Sequence, residues 1–166
     1  DGDAYPAPVT DDEADVFERA ITAAGSLVLS ADRVGLTTRF VTGGGVDLRG
    51  PDVAQNTLRL LAPITIGPAL GELERDPSEG LGLVVVVTSS PATDAWRRTE
   101  RIVDPTLTRL GVFTGGARRG RLDVDASSVT AFRENWSRLA GLGGLHRISR
   151  EPISGDDAAS SSEVPA

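Results

Sequence analysis

The fold of this chain is decided by the stretch Leu81-Gly82-Leu83-Val84-Val85-Val86-Val87-Thr88. Its four consecutive valines show no alternation with polar residues, so we expect both faces of the strand that they form to be buried. Burial on both faces is typical of a central strand in a parallel sheet that is flanked by helices. The turn residues Ser89-Ser90-Pro91 mark the carboxyl end of this strand.

Predicted helices and strands alternate on both sides of this strand. Upstream, the pattern predicts a helix from residue 11 to about residue 31, strands over residues 34–41 and 46–48, and a helix capped by Asp52 that ends at Leu61. Downstream, it predicts a helix that Thr93 or Asp94 caps and Pro105 interrupts, strands over residues 110–114 and 121–124, and a last helix capped by Asp125 with Val129, Phe132, Trp136 and Leu139 on its apolar face. This alternation predicts an α/β sandwich of helix, sheet and helix.

An acidic cluster opens the first predicted helix. Thr10 and Glu13 have the spacing of a capping box, in which each side chain binds the backbone amide of the other residue. Asp11, Asp12 and Asp15 crowd the first turn, where the helix dipole favours anions. We therefore interpret the cluster as helix capping rather than as a metal site.

The composition excludes several classes of function. The chain has 166 residues, 39% of them hydrophobic and 4% aromatic, so we expect one domain with an aliphatic core. It has no cysteine, which rules out disulfides, thiolate nucleophiles and cysteine-based zinc sites. It also has no lysine, which a P-loop needs to reach the phosphates. The formal net charge of -7 argues against nucleic acid as the main partner.

No catalytic motif stands out. His146 is the only histidine, and the chain has no G-x-S-x-G nucleophile motif, so we interpret His146 as a surface residue. Gly43-Gly44-Gly45 lacks the spacing of a dinucleotide-binding loop and is interpreted as a hairpin loop. A catalytic pair of carboxylates stays open as an alternative, because carboxylates are plentiful. Four of them are explained as helix caps or turn residues: Asp94, Asp104, Asp123 and Asp125.

Two arginine clusters are candidate contacts for a partner. The first consists of Arg97, Arg98 and Arg101, and the second of Arg118, Arg119 and Arg121. One interpretation is a solvated face, and the other is docking to an acidic protein surface. Neither cluster has the aromatic residues that stack on the bases of nucleic acids.

The carboxyl ends of the predicted strands form the candidate binding rim. Ligands of an open α/β sheet usually bind beyond this edge. It carries the loop Asp1–Tyr5, Thr65 with its neighbours, and the run Thr88-Ser89-Ser90. Hydroxyl and carboxylate oxygens of this kind suit Mg²⁺ or Mn²⁺ better than softer metals.

Several of these stretches resemble one family. They are Phe17-Glu18-Arg19-Ala20, Ala23-Ala24-Gly25-Ser26-Leu27, Asp32-Arg33-Val34-Gly35-Leu36, Leu60-Leu61-Ala62, Gly82-Leu83-Val84-Val85-Val86-Val87, and Trp136 with Leu139. The pattern over roughly residues 1–140 resembles the C-terminal half of the von Willebrand factor A-like proteins catalogued as domain of unknown function 58, which are associated with MoxR ATPases. The resemblance implies a von Willebrand factor A-like three-layer sandwich with a mostly parallel sheet. It also implies a cytoplasmic domain of a membrane-anchored bacterial protein that works with a MoxR-type AAA+ ATPase.

The resemblance also implies where a metal would bind. Von Willebrand A domains often hold a metal through Asp-x-Ser-x-Ser after the first strand, a threonine in a later loop and an aspartate after the fourth strand. Asp1 keeps the first carboxylate, Asp3 stands in place of a serine, and Thr65 is the candidate threonine. At the last position Thr88-Ser89 replaces the usual Thr-Asp, so one carboxylate is lost. These departures weaken the case for Mg²⁺, and we expect no cofactor.

The expected domain spans residues 1–148, and residues 149–166 are predicted to be a disordered acidic tail. The chain contains no methionine and its first helix has no strand before it, so we expect the first strand of the sheet to lie upstream of Asp1. The leading functional hypothesis is a non-enzymatic protein-interaction module for assembly or maturation of protein complexes. The alternatives are a divalent-metal-dependent adhesion-type binding domain and an uncharacterised hydrolase.

Overall fold

The computed structural model describes residues 10–66, 82–116, 120 and 122–141. The helices are α1 (Asp11–Arg33), α2 (Val53–Leu61), α3 (Asp94–Ile102) and α4 (Val129–Gly141). The strands are β1 (Phe40–Val41), β2 (Asp47–Leu48), β3 (Leu83–Thr88), β4 (Thr108–Phe113) and β5 (Val124–Asp125). The predicted tail over residues 149–166 and His146 lie outside the described residues.

The capping box predicted at the start of α1 is confirmed. The amide of Glu13 donates to Oγ1 of Thr10 over 3.3 Å, and the amide of Thr10 donates to Oε2 of Glu13 over 2.8 Å. Each side chain therefore satisfies a backbone amide that the helix leaves free. α1 runs two residues beyond the predicted end, to Arg33.

The strand predicted over residues 34–41 is wrong except for its last two residues. The amides of Val34 and Gly35 bond back to carbonyls of the last turn of α1, and Gly35 adopts a positive φ of 74°. This helix-end conformation keeps Val34 and Leu36 out of any ladder and leaves them 71% and 63% exposed. Only β1 forms, and it pairs antiparallel with β2, the predicted return strand.

Helix α2 has the predicted bounds and lies against α1. Asp52 occupies the N-cap position, but its side chain makes no capping hydrogen bond, so that part of the prediction is wrong. The two helices approach closely at Gly25 of α1, where an added Cβ would lie 3.3 Å from Cδ2 of Leu58. A glycine at this position lets the helices pack at short range.

The main sheet of the described residues has the order β3-β4-β5, and both pairings are parallel. β3 and β4 pair along their full length, from Leu83 opposite Thr108 to Thr88 opposite Phe113. The predicted parallel sheet is confirmed. In this part of the chain, however, the strand with neighbours on both sides is β4, while β3 pairs with β4 alone.

Helices cover both faces of this sheet. On one face, Ala23 of α1 forms a core with Leu110, Val112 and Val124, against which residues of α4 also pack. On the other face, Trp96 of α3 packs with Val86 and Phe113. The chain therefore has an α/β fold in which helices flank a parallel sheet on both sides.

The start of α4 differs from its prediction. Asp125 belongs to β5, and its Oδ1 accepts the amide of Ser127 over 2.9 Å. The amide of Ala131 instead donates to Oγ of Ser128 over 3.1 Å, so Ser128 rather than Asp125 caps the helix. Val129 is 70% exposed and is not a core residue. The other predicted apolar positions, Phe132, Trp136 and Leu139, do pack on the core.

None of the helices in the described part of the chain has the length and apolar character needed to cross a membrane.

Candidate functional site

β3 and β4 end side by side, and their pairing continues into the following loops. The amide of Thr114 donates to the carbonyl of Thr88 over 3.0 Å, and the amide of Gly115 donates to the carbonyl of Ser89 over 2.8 Å. We call the set Thr88, Ser89, Ser90, Thr114 and Gly115 the rim. Because backbone hydrogen bonds join its two halves, the rim holds a fixed shape.

Gly115 permits this close approach. A Cβ at this position would lie 2.7 Å from the carbonyl oxygen of Ser89, which is closer than real Cβ contacts come. That oxygen belongs to the backbone, so it cannot move away as a flexible side chain would. Residue 115 must therefore be glycine, because its backbone packs directly against the backbone of Ser89.

The rim leads directly into α3. Oγ1 of Thr88 lies 2.9 Å from Oγ1 of Thr93, which is the N-cap of α3 and accepts the amide of Trp96 over 3.3 Å. The Thr93 hydroxyl also lies within hydrogen-bond distance of the Ser90 carbonyl, at 3.1 Å. The structure thus brings the predicted rim residues Thr88, Ser89 and Ser90 together with the amino end of a helix, and Thr93 is confirmed as the cap.

α3 carries the first arginine cluster next to the rim. Nη2 of Arg97 donates to the carbonyl of Ala92 over 2.6 Å, which ties this side chain to the loop between β3 and α3. Asp94 lies 3.8 Å from Arg97 and partly offsets its charge. Arg101 is exposed one turn further along the helix, and Arg98 is half-buried. Arg97 and Arg101 therefore extend the polar surface of the rim along one side of α3.

Trp96 anchors α3 to the sheet. Its side chain is 3% exposed, and its ring meets that of Phe113 edge to face at a centroid distance of 5.1 Å. The guanidinium carbon of Arg109 lies 4.2 Å from the ring centroid, and Arg109 also bonds Glu100 over 2.9 Å. These contacts fix the position of the arginine-bearing helix relative to the rim.

Arg19 is a rim contact that the sequence did not reveal. Its Nε donates to the carbonyl of Thr114 over 3.3 Å, across 95 residues of chain. Periodicity places Arg19 only on α1, and nothing in the sequence indicates that α1 crosses the end of β4. Oγ1 of the same Thr114 is buried and has no hydrogen-bond partner within the described part of the chain.

The remaining predicted site residues are not joined to the rim in the described structure. Thr65 is exposed, four residues after the end of α2, and makes no hydrogen bond to the described rim residues. Asp1, Asp3, Arg118 and Arg119 lie outside the described residues. The described rim itself offers hydroxyl and carbonyl oxygens and no carboxylate, which is a poor ligand set for Mg²⁺. Within the described ranges, no three His, Cys, Asp or Glu side chains are grouped so as to hold a metal ion.

The resemblance to the domain of unknown function 58 family rests on the sequence stretches quoted above alone. The structural support for a binding function comes from the rim. Comparison of the chain with protein-family models, curated proteins and solved structures found no significant match.

Proposed function

We propose that this chain is a non-enzymatic protein-interaction module of a membrane-anchored bacterial protein, and that it works with a MoxR-type AAA+ ATPase in the assembly or maturation of protein complexes. The rim and the adjoining side of α3 form the binding surface. The observation that carries the proposal is the pairing of Thr114 with Thr88 and of Gly115 with Ser89 beyond the strand ends. The ATPase as partner is taken from the family resemblance.

The properties of the rim and of the adjoining side of α3 favour protein binding over catalysis. The rim is held by backbone bonds, so little conformational entropy is lost when a partner docks on it. Of its hydroxyl side chains, those of Thr88 and Thr114 are buried and those of Ser89 and Ser90 are half-buried. The cations beside them, Arg97 and Arg101, are exposed. Exposed cations beside a polar rim suit an acidic patch on a partner protein.

The assignment of the α/β fold to a particular fold family is part of the same proposal. We propose a von Willebrand factor A-like sandwich, supported by the parallel order β3-β4-β5 and by helices on both faces of the sheet. In an open parallel sheet, the carboxyl ends of the strands are the usual binding edge. The rim lies at that edge.

Capture of the ATPase tests the proposal. The full-length protein is immobilised and exposed to the MoxR-type ATPase of its own host with ATP, with ADP and without nucleotide. We expect nucleotide-dependent capture that the double variant Arg97→Glu/Arg101→Glu abolishes. The matched control is Arg33→Glu/Arg59→Glu, which changes the charge equally on α1 and α2, away from α3. No capture of the unchanged, folded protein in any nucleotide state would sink the proposal.

A metal titration distinguishes the proposed interaction module from the alternative of a metal-dependent adhesion-type domain. That alternative uses Asp1, Asp3 and Thr65 to hold Mg²⁺, which bridges to a carboxylate of the partner. Calorimetry with Mg²⁺ and Mn²⁺ would then show heat, and chelation would abolish capture of the partner. We expect capture to be the same in the presence of a chelator, provided that the ATPase is preloaded with its nucleotide.

A further inference from the structure

We draw no further inference here: the strongest candidate, the apolar outer edge of β3, which pairs with β4 alone in the described sheet, carries none because nothing in the described part of the chain shows what covers it.

Discussion

The backbone amide of Gly111 donates a hydrogen bond of 3.1 Å to Oδ1 of Asp123, whose side chain is 5% exposed. Oδ2 of the same carboxylate accepts the amide of Gly120 over 2.6 Å. One buried carboxylate therefore joins the middle of β4 to the loop that leads into β5. A Cβ on Gly111 would lie 2.9 Å from Oδ1 of Asp123 and 2.5 Å from Cζ of Phe113, so the amide is reachable only because residue 111 is glycine.

Asp123→Asn is expected to destabilise the protein by about 1.5–3 kcal/mol, because a charge-assisted acceptor is lost and an amide NH₂ must face one of the two backbone amides. Urea unfolding measures the change. Asp32→Asn is the control, since Asp32 is exposed at the end of α1 and is expected to change stability by less than about 0.5 kcal/mol. Equal stability of the two variants would contradict the structural role of Asp123.

Gly115→Ala is expected to push the two halves of the rim apart, because its Cβ would meet the backbone oxygen of Ser89 at 2.7 Å. We expect a loss of about 1–3 kcal/mol in the free energy of unfolding and weaker capture of the ATPase. Gly44→Ala is the matched control, because its Cβ would meet Oγ1 of Thr42 at an ordinary 3.6 Å. Unchanged capture by a folded Gly115→Ala variant would remove the rim from the binding surface.

The capping box of α1 predicts a pH dependence of stability. Hydrogen bonds from the backbone and side chain of Thr10 hold the pKa of Glu13 below its ordinary value of 4.5. A carboxyl whose pKa is lowered by folding stabilises the folded state above its ordinary pKa, and this contribution is lost as the pH falls through the lowered value. The stability difference between the unchanged protein and Glu13→Gln should therefore shrink as the pH falls from about 6 to about 3.

Two further variants check the capping box. Thr10→Ala removes the cap and is expected to cost about 1 kcal/mol at neutral pH. Glu18→Gln removes an exposed carboxylate from the same helix outside the capping box and is the matched control for the loss of charge. A pH profile for Glu13→Gln that runs parallel to that of the unchanged protein would contradict the lowered pKa.

The fold was predictable where local chemistry and packing agree. The valine run of β3, the Thr10 cap and the helix that Pro105 limits each carry a local signal, and each forms as predicted. The strand prediction failed at Val34, because its β-branched side chain favours a strand while the end of α1 turns the chain at Gly35. Propensity also cannot tell which strand lies between two others, and β4 holds that place in the described sheet.

The site was predictable only in part. The polar run Thr88-Ser89-Ser90 follows a buried strand, so its position at the sheet edge could be expected. The contact of Arg19 with Thr114 spans 95 residues and depends on the path of α1 over the sheet, which periodicity does not encode. The sequence predicts Asp123 as a cap or turn residue. Its burial could not be predicted, because it depends on the position of β4 beside it.

The hairpin of β1 and β2 carries the last prediction. Arg39 donates to Asp47 over 2.9 and 2.8 Å, and Nη2 of Arg49 donates to the same carboxylate over 3.0 Å. The hydrogen bonds from Arg39, and then those from Arg49, hold the pKa of Asp47 far below its ordinary value of 3.8. The stabilisation that this carboxylate provides is therefore present above its ordinary pKa and is lost only as the pH falls through the lowered value.

Carbon NMR of the Asp47 carboxyl measures this pKa directly. We expect a titration midpoint well below 3.8 in the unchanged protein, and a return toward 3.8 in Arg39→Gln, since the largest cause of the shift is removed. Arg59→Gln removes a cation from α2 and should leave the midpoint where it was. An ordinary midpoint in the unchanged protein would show that water, rather than the two arginines, solvates Asp47, and the hairpin would then be held by its β1–β2 ladder and the core contacts of Phe40 and Leu48.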